Sequence, residues 1–254
     1  MWPYPKIIAH RGGGVLAPEN TLAAFRCGAT HGARAVEFDV MLAKDGVPVV
    51  MHDPTLGRTV SGTGSVSDYT SHELTLMDAG SWFGRDFAGE RVPTYEQAAA
   101  FCIDNQIWMN VEIKPVPGFE EATGRVVAHY TKRLFADLLA RGDADPARAG
   151  LPLFSSFSYE ALRAARRAAP AIPRGYLLDR VPPDWQERIA ELGAVAIDTS
   201  YRHLTKAQAR AIKAAGLGLF CYTVNDPECA RKLFSWGVDA ICTDRIDLIG
   251  PRFL

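Results

Sequence analysis

Ionisable side chains gather at a few points in the first half of the sequence, in a pattern suited to holding a cation. Glu37 and Asp39 lie two residues apart in the apolar segment Val36–Val40, and Glu112 ends another apolar segment. Residues i and i+2 of a β-strand share a face, so Glu37 and Asp39 project together. Two carboxylates on one face repel unless a cation lies between them, and an all-oxygen set suits a hard ion. We therefore predict that Glu37, Asp39 and Glu112 bind one divalent cation, Mg2+ or Ca2+.

A simpler alternative to a metal site is that these acids only form ion pairs with the nearby cations Arg11 and Lys114. We prefer the metal site, because two carboxylates on one face with a third beside them need more than ion pairing. A zinc site is less favoured, since no His or Cys falls at zinc-ligand spacing in the sequence.

His10 and His52 are predicted to act as a general acid and a general base. His10 ends the first apolar segment, and Asp45-Gly46 between apolar runs signals a β-hairpin. With a two-residue turn, Asp39 would lie opposite His52 with Cβ atoms about 5 Å apart. Histidine titrates near neutral pH, so one ring could deprotonate an attacking oxygen while the other protonates a leaving oxygen.

Three further side chains are predicted to contact a substrate. Arg11 offers a planar fork and Lys114 a point charge for phosphate oxygens, although a salt bridge to Glu112 also explains Lys114. Tyr222, at the end of a later apolar segment, is predicted to line the pocket. Asn20 is predicted to cap the first helix, with a polar contact to the site as the alternative.

The elements that position these residues are short apolar segments alternating with longer helical patterns, the longest of which covers Phe119–Ala140. The predicted strands are Lys6–Ala9, Ala35–Val40, Ile107–Glu112, Leu151–Ser155, Ile172–Tyr176, Ala194–Ile197, Leu217–Tyr222 and Asp239–Cys242. Continuous apolar strands alternating with helices indicate a parallel sheet covered on both faces. Eight units in about 250 residues favour a (β/α)8 TIM barrel, with its site at the C-terminal mouth. An open doubly wound sheet is the alternative, but Gly12-Gly13-Gly14 lacks the GxGxxG spacing of a dinucleotide loop.

We predict one domain over residues 1–254, with a short insertion after the second strand at about residues 53–92. This segment is too long for a simple βα loop and contains Gly-rich turns. Its apolar residues Leu76, Trp82 and Phe83 are expected to pack inward.

Composition narrows the class of protein. The 254 residues carry a net charge of -1, with 48% hydrophobic and 22% charged residues, so neither nucleic acid nor an anionic membrane is an expected partner. The five cysteines show no CxxC spacing, and no apolar run approaches the roughly 18 residues of a membrane span. Because the N-terminus also lacks a signal-peptide pattern, we predict a reduced, cytoplasmic protein. The sequence does not decide its oligomeric state.

Motifs spread over essentially the whole chain carry a resemblance to one known family. They are His10-Arg11-Gly12, Pro18-Glu19-Asn20-Thr21, Glu37-Phe38-Asp39, Asp45-Gly46, Val49–Asp53, Thr59, Leu74–Asp78, Trp82-Phe83, Val92-Pro93-Thr94, Glu112-Ile113-Lys114-Pro115, Ser155-Ser156-Phe157, Thr223-Val224-Asn225, Gly237-Val238-Asp239 and Thr243-Asp244. This set resembles the glycerophosphodiester phosphodiesterases, in particular the small cytoplasmic bacterial type, and its first-half motifs are highly specific.

The resemblance implies a TIM barrel that hydrolyses small-molecule glycerophosphodiesters to glycerol 3-phosphate and an alcohol such as choline or ethanolamine. It also implies one divalent cation on the three acids, acid/base catalysis by the two histidines, and Arg11 and Lys114 near the phosphate. The role of each histidine stays open, as does the choice between water and the neighbouring glycerol hydroxyl as nucleophile.

Two other functions are considered for the same barrel. A lysophospholipase D-like diesterase would need an apolar groove, which Leu76, Trp82 and Phe83 could supply. A non-catalytic phosphodiester-binding module is disfavoured, because the histidines and all three acids are present.

Overall fold

The computed structural model of the protein describes residues 2–141 and 150–253. Its strands are β1 Ile7–Ala9, β2 Ala35–Leu42, β3 Pro48–Val50, β4 Trp108–Ile113, β5 Leu153–Ser156, β6 Arg174–Leu178, β7 Ala196–Ser200, β8 Gly218–Tyr222 and β9 Ala240–Thr243. Its α-helices are α1 Leu22–Thr30, α2 Ser71–Leu74, α3 Tyr95–Asp104, α4 Glu120–Leu134, α5 Ala136–Ala140, α6 Tyr159–Ala168, α7 Trp185–Leu192, α8 Lys206–Ala214 and α9 Pro227–Ser235.

Eight of these strands form a closed parallel barrel. Strand β1 pairs with both β2 and β9, and β4 to β9 follow β2 in succession, which joins the sheet into a cylinder. Every residue of β2 and β4 is buried, as expected for strands covered on both faces. The predicted (β/α)8 TIM barrel is confirmed, and all eight predicted strands occur with ends shifted by up to three residues. The closed sheet excludes the open alternative.

The hairpin after β2 exists, but its predicted register is wrong by one residue. Strand β3 pairs antiparallel with β2 through Val40 and Val50, and the Met51 N–H donates to the Asp39 carbonyl at 3.1 Å. The loop has three residues, ending in Gly46 at φ +77°. A type I turn followed by a left-handed glycine is a common three-residue hairpin loop, and it adds one residue to the two-residue turn assumed from Asp-Gly. Asp39 therefore lies opposite Met51, and His52 follows in the loop.

The segment between β3 and α3 packs around a small core of its own. Buried Met51, Leu74 and Val92 belong to this core together with Met41 of β2. The expectation that the insertion's apolar residues all pack inward is wrong, because Leu76 is 57% and Trp82 44% exposed.

The longest predicted helix is divided in the structure. The pattern Phe119–Ala140 was expected to be continuous, but it divides into α4 and α5 at Phe135. The Phe135 backbone has φ −109° and ψ 23°, outside α-helical values, and its ring is buried in the core. Among the described residues, every helix is too short or too polar to cross a bilayer.

Candidate active site

The three predicted acids meet inside the mouth of the barrel. In the parallel pairing of β2 with β4, Glu37 lies opposite Asn110 and Asp39 opposite Glu112. One carboxylate oxygen from each of Glu37, Asp39 and Glu112 lies within 4.8 Å of the other two. All three are buried, with at most 9% of each residue exposed. The two-residue alternation of side chains in β2 and its parallel pairing with β4 thus bring the three predicted carboxylates together.

The pKa values of the three carboxyl groups are shifted in opposite directions. Burial, followed by the charges of Asp39 and Glu112, raises the pKa of Glu37 well above its usual value. Burial and Asp39 raise the pKa of Glu112 to about 8. Asp39 goes the other way: burial opposes its ionisation, but Lys114 and Arg11 outweigh it and hold its pKa below the usual range. Crowded, buried carboxylates of this kind become favourable when a cation neutralises their repulsion.

Ion pairs with Arg11 and Lys114 exist but do not satisfy the trio. The Lys114 Nζ lies 3.2 Å from Asp39 Oδ1. It is 3.9 Å from Glu112 Oε1, which is too far for a hydrogen bond. The Arg11 Nε lies 3.7 Å from Asp39 Oδ2, and its backbone N–H donates to Glu37 Oε2 at 3.2 Å. Within the described residues, the buried Glu112 Oε1 has no hydrogen-bond partner. An all-oxygen set with an unpartnered buried oxygen fits a hard divalent cation.

Asn20 belongs to this site and does not cap helix α1, contrary to the default expectation. The N-cap is Thr21, whose Oγ1 accepts from the Ala24 N–H at 3.1 Å. Asn20 takes a left-handed φ of +59°, and its Nδ2 donates to Asp39 Oδ2 at 2.8 Å. Its Oδ1 accepts from the Asp39 N–H at 3.3 Å, so both ends of the amide fix Asp39.

His10 is oriented by a carboxylate from the last strand's end. The His10 Nδ1 and Asp244 Oδ1 are 2.5 Å apart, and the Asn225 Nδ2 donates to Asp244 Oδ2 at 2.9 Å. Because an ionised carboxylate only accepts, Nδ1 carries the proton and Nε2 keeps its lone pair. That Nε2 accepts from the Arg11 Nε at 3.3 Å and lies 3.9 Å from Glu37 Oε2. His10 thus presents a basic nitrogen to the carboxylate trio.

His52 is held by a second carboxylate, which an arginine of the insertion fixes in turn. The His52 Nδ1 lies 2.6 Å from Asp53 Oδ1, and the Arg58 Nε and Nη2 donate to Asp53 at 2.5 and 3.0 Å. Arg58 also donates twice to Glu19, at 2.7 and 2.8 Å, and Glu19 accepts from Arg11 Nη1 at 2.7 Å. The hydrogen bonds from Arg58 and His52 outweigh burial and lower the pKa of Asp53 to about 2. One continuous network therefore connects His52 with Arg11.

Replacing Arg58 should uncouple His52 from this network. We expect Arg58→Ala to lower kcat by about tenfold or more with KM little changed, because displacing a reacting group by about 1 Å costs up to about 10² in rate. Arg58→Lys should recover little, since lysine cannot donate two parallel hydrogen bonds to a carboxylate. Steady-state kinetics give both parameters, and Arg85→Ala, at an exposed position of the same insertion, is the control. An unchanged kcat in Arg58→Ala would contradict a positioning role.

Tyr222 lies in β8 with its hydroxyl already engaged. Its Oη donates to the Leu178 carbonyl at 3.0 Å, and its ring stands perpendicular to Phe157 with centroids 6.0 Å apart. The predicted contact of Tyr222 with a substrate would therefore be made by its half-buried ring.

Sequence reasoning selected the acids and the histidines but not the residues that hold them. Asp244 appeared in the family motif Thr243-Asp244, without a role, and its position after the last strand was the signal available. Glu19 carried no signal beyond its family motif, and Arg58 lies in none of those motifs. The hydrogen bonds between Arg58 and Glu19 join residues 39 positions apart, so no local pattern indicates them.

Comparison with known proteins places this arrangement among phosphodiesterases. The model of the Glycerophosphoryl diester phosphodiesterase family matches residues 10–248. A glycerophosphodiester phosphodiesterase from Caldanaerobacter subterraneus subsp. tengcongensis is 34% identical over 244 residues, which cover 94% of this chain and 93% of the relative. Among solved structures, an Oleispira antarctica phosphodiesterase in complex with the product sn-glycerol-3-phosphate is 37% identical, with a TM-score of 0.85 over 94% of this chain and 93% of that one. A glycerophosphodiester phosphodiesterase from Thermotoga maritima superposes with a TM-score of 0.72 at 25% identity, over 96% of both chains.

Proposed function

Because this chain belongs to the glycerophosphoryl diester phosphodiesterase family and is a phosphodiesterase, we propose that it hydrolyses glycerophosphodiesters to glycerol 3-phosphate and an alcohol at the barrel mouth. One observation carries the proposal: three buried carboxylates lie within 4.8 Å of one another, beside two histidines that each meet a carboxylate through Nδ1. Hydrolysis of a phosphodiester needs a general base, a general acid and stabilisation of charge on the phosphate, which two such histidines and a bound cation would supply.

Glu37, Asp39 and Glu112 would hold one divalent cation, Mg2+ or Ca2+. When bound, the cation would polarise a non-bridging phosphate oxygen as a Lewis acid. Once all three carboxylates ionise, two cationic side chains leave one negative charge uncompensated, and a bound cation would neutralise it. The Asn20 amide holds Asp39 in position for the cation.

Arg11 and Lys114 bind and orient the phosphate in this proposal. Both side chains are about one-fifth exposed at the mouth, so they can meet a ligand while still contacting Asp39. Their fixed positive charges stabilise the negative charge that grows on the phosphate oxygens in the transition state. Tyr222 lines the pocket with its ring.

His10 and His52 move the protons. Each Nδ1 is held by a carboxylate, so each Nε2 is the nitrogen available to the reacting groups. One Nε2 takes a proton from the nucleophile, and the other ring gives a proton to the leaving alkoxide. The nucleophile is either water or the neighbouring glycerol hydroxyl. In both cases the P–O bond to the alcohol breaks and that oxygen leaves protonated. Water as nucleophile gives glycerol 3-phosphate directly. The glycerol hydroxyl gives a cyclic phosphate, and water must then break its new P–O bond to yield glycerol 3-phosphate.

A product-resolved substrate panel tests the function. We expect glycerophosphocholine, glycerophosphoethanolamine or glycerophosphoglycerol to yield glycerol 3-phosphate and the free alcohol, measured by separate enzymatic assays for the two products. Lysophosphatidylcholine should react more slowly, because an acyl chain gains no apolar burial beside Arg11, Lys114 and the histidines. Release of phosphocholine and glycerol instead would reverse the proposed bond cleavage. Faster turnover of lysophosphatidylcholine would favour the lysophospholipase D-like function, for which the exposed Leu76 and Trp82 would then provide the lipid contact.

A further inference from the structure

A second set of potential metal ligands overlaps the carboxylate trio. One ligand atom each from His10, Glu37 and Cys242 lies within 4.8 Å of the other two. Cys242 is 1% exposed, and it pairs with Ile8 of β1, two residues before His10. No local pattern indicates this group, because Cys242 lies more than two hundred residues from both His10 and Glu37. Barrel closure through β1 and β9 creates it.

The donor atoms of this group differ in kind from those of the trio. Nitrogen, oxygen and sulfur together form a typical set for Zn2+, with bond lengths of about 2.0–2.3 Å. Mg2+ and Ca2+ prefer oxygen and gain little from a thiol or an imidazole. The two ligand sets are therefore selective for different ions although Glu37 belongs to both.

The surroundings of His10 match those of a metal-binding histidine. Metal-bound imidazoles commonly donate their other N–H to a carboxylate, which fixes the ring and raises its basicity. Asp244 takes this position at 2.5 Å from His10 Nδ1, and Asn225 fixes Asp244 from the far side. His10 Nε2 is left facing Glu37 at 3.9 Å. The outer contacts that a zinc ligand needs are thus already present.

Cys242 supplies the soft ligand. Among the described residues its Sγ makes no hydrogen bond, although it is buried at the polar end of the barrel interior. Burial, then the charges of Glu37 and Asp244, raise the pKa of this thiol well above its usual value. A thiophilic cation would form a metal–sulfur bond as the S–H bond breaks, and the proton would pass to the solvent without any change in oxidation state.

We propose that His10, Glu37 and Cys242 form an inhibitory site for a thiophilic divalent cation such as Zn2+ or Cd2+. An ion there takes the lone pair of His10 Nε2 and one of the three carboxylates of the trio. Since Glu37 serves both sets, the thiophilic ion and the hard cation compete. The inhibition rests on the proposed function, whereas the binding of the ion does not.

Cd2+ binding tests the site directly, because a Cd2+–thiolate bond absorbs in the ultraviolet. We expect a saturable band when Cd2+ is added to the wild-type protein, and excess Mg2+ or Ca2+ should weaken it. The band should disappear in both Cys242→Ser and Cys242→Ala. It should persist in Cys102→Ser, the control at another buried cysteine. A wild-type protein without the band, or a Cys242→Ser protein that keeps it, would overturn the proposal.

Inhibition by Zn2+ provides the second measurement. Relative to each variant's own uninhibited rate, the half-inhibitory Zn2+ concentration should rise by about tenfold or more in Cys242→Ser, because one of three ligands is lost. In the wild type it should rise with added Mg2+. An unchanged value in Cys242→Ser would mean that Zn2+ inhibits through the all-oxygen trio, and the assignment would fail. If the protein showed no glycerophosphodiesterase activity, the Cd2+ band would still decide whether the site exists.

Discussion

Alanine in place of His10 or His52 should lower kcat by about 10²–10⁴-fold, the range expected when a general acid or base is removed. Each ring is partly exposed at the barrel mouth, with 19% of the His10 and 28% of the His52 side chain accessible, so neither is a core contact. The fold should therefore survive. Kinetics on glycerophosphocholine measure the loss, and circular dichroism with thermal unfolding checks the fold.

The matched control for these variants is His72→Ala, since His72 is an exposed histidine on α2. It should keep wild-type kcat. The double variant His10→Ala/His52→Ala should be little slower than the slower single variant, because residues that act as a unit are far from additive. Near-normal turnover in either single variant would remove that histidine from the acid/base pair.

Removal of divalent metal should abolish hydrolysis, and Mg2+ or Ca2+ should restore it. The reason lies in the trio, in which burial and mutual repulsion raise the pKa of both Glu37 and Glu112. The half-saturating metal concentration should rise as pH falls, because protons compete for the same oxygens. Glu37→Gln should raise it by at least about tenfold. Activity measured across a metal titration, after dialysis against a chelator, tests these expectations.

Thermal unfolding gives a second readout of metal binding that does not depend on turnover. A cation that binds only the folded protein stabilises it by about 2.7 kcal/mol at a concentration one hundred times its Kd. The wild-type Tm should rise with added metal, and the rise should be smaller in Glu37→Gln. Glu228→Gln, at an exposed position of α9, should behave like wild type. Full activity after chelation, together with a Tm that does not change when metal is added, would contradict a carboxylate-bound cation.

The barrel and the acids were predictable because both follow from local periodicity. Continuous apolar runs indicated buried parallel strands, and these occur with small shifts at their ends. The spacing of Glu37 and Asp39 placed them on one face, and the pairing of β2 with β4 then brought Glu112 beside Asp39. The two-residue period of a strand and the parallel pairing of β2 with β4 were sufficient to bring the three carboxylates together.

Details that depend on backbone conformation were not predictable from the local sequence. Asp45-Gly46 signals a hairpin but does not separate a two-residue turn from a three-residue loop, and this difference moved His52 out of the predicted register. Asn20 and Thr21 are both good N-caps, and only the left-handed backbone of Asn20 turns its amide toward Asp39. The Arg58 and Asp244 contacts need the insertion and the last strand in place, so no local pattern reports them.

Closure of the barrel has a consequence for biosynthesis. A nascent chain that stops before β9 already contains both histidines and all three acids, yet it lacks the carboxylate that fixes the tautomer of His10. It also leaves β1 and β8 with unpaired edges, which are prone to aggregation. Turnover should therefore begin only after the ribosome has released the final strand, so truncated translation products would be inactive despite their complete set of reacting groups.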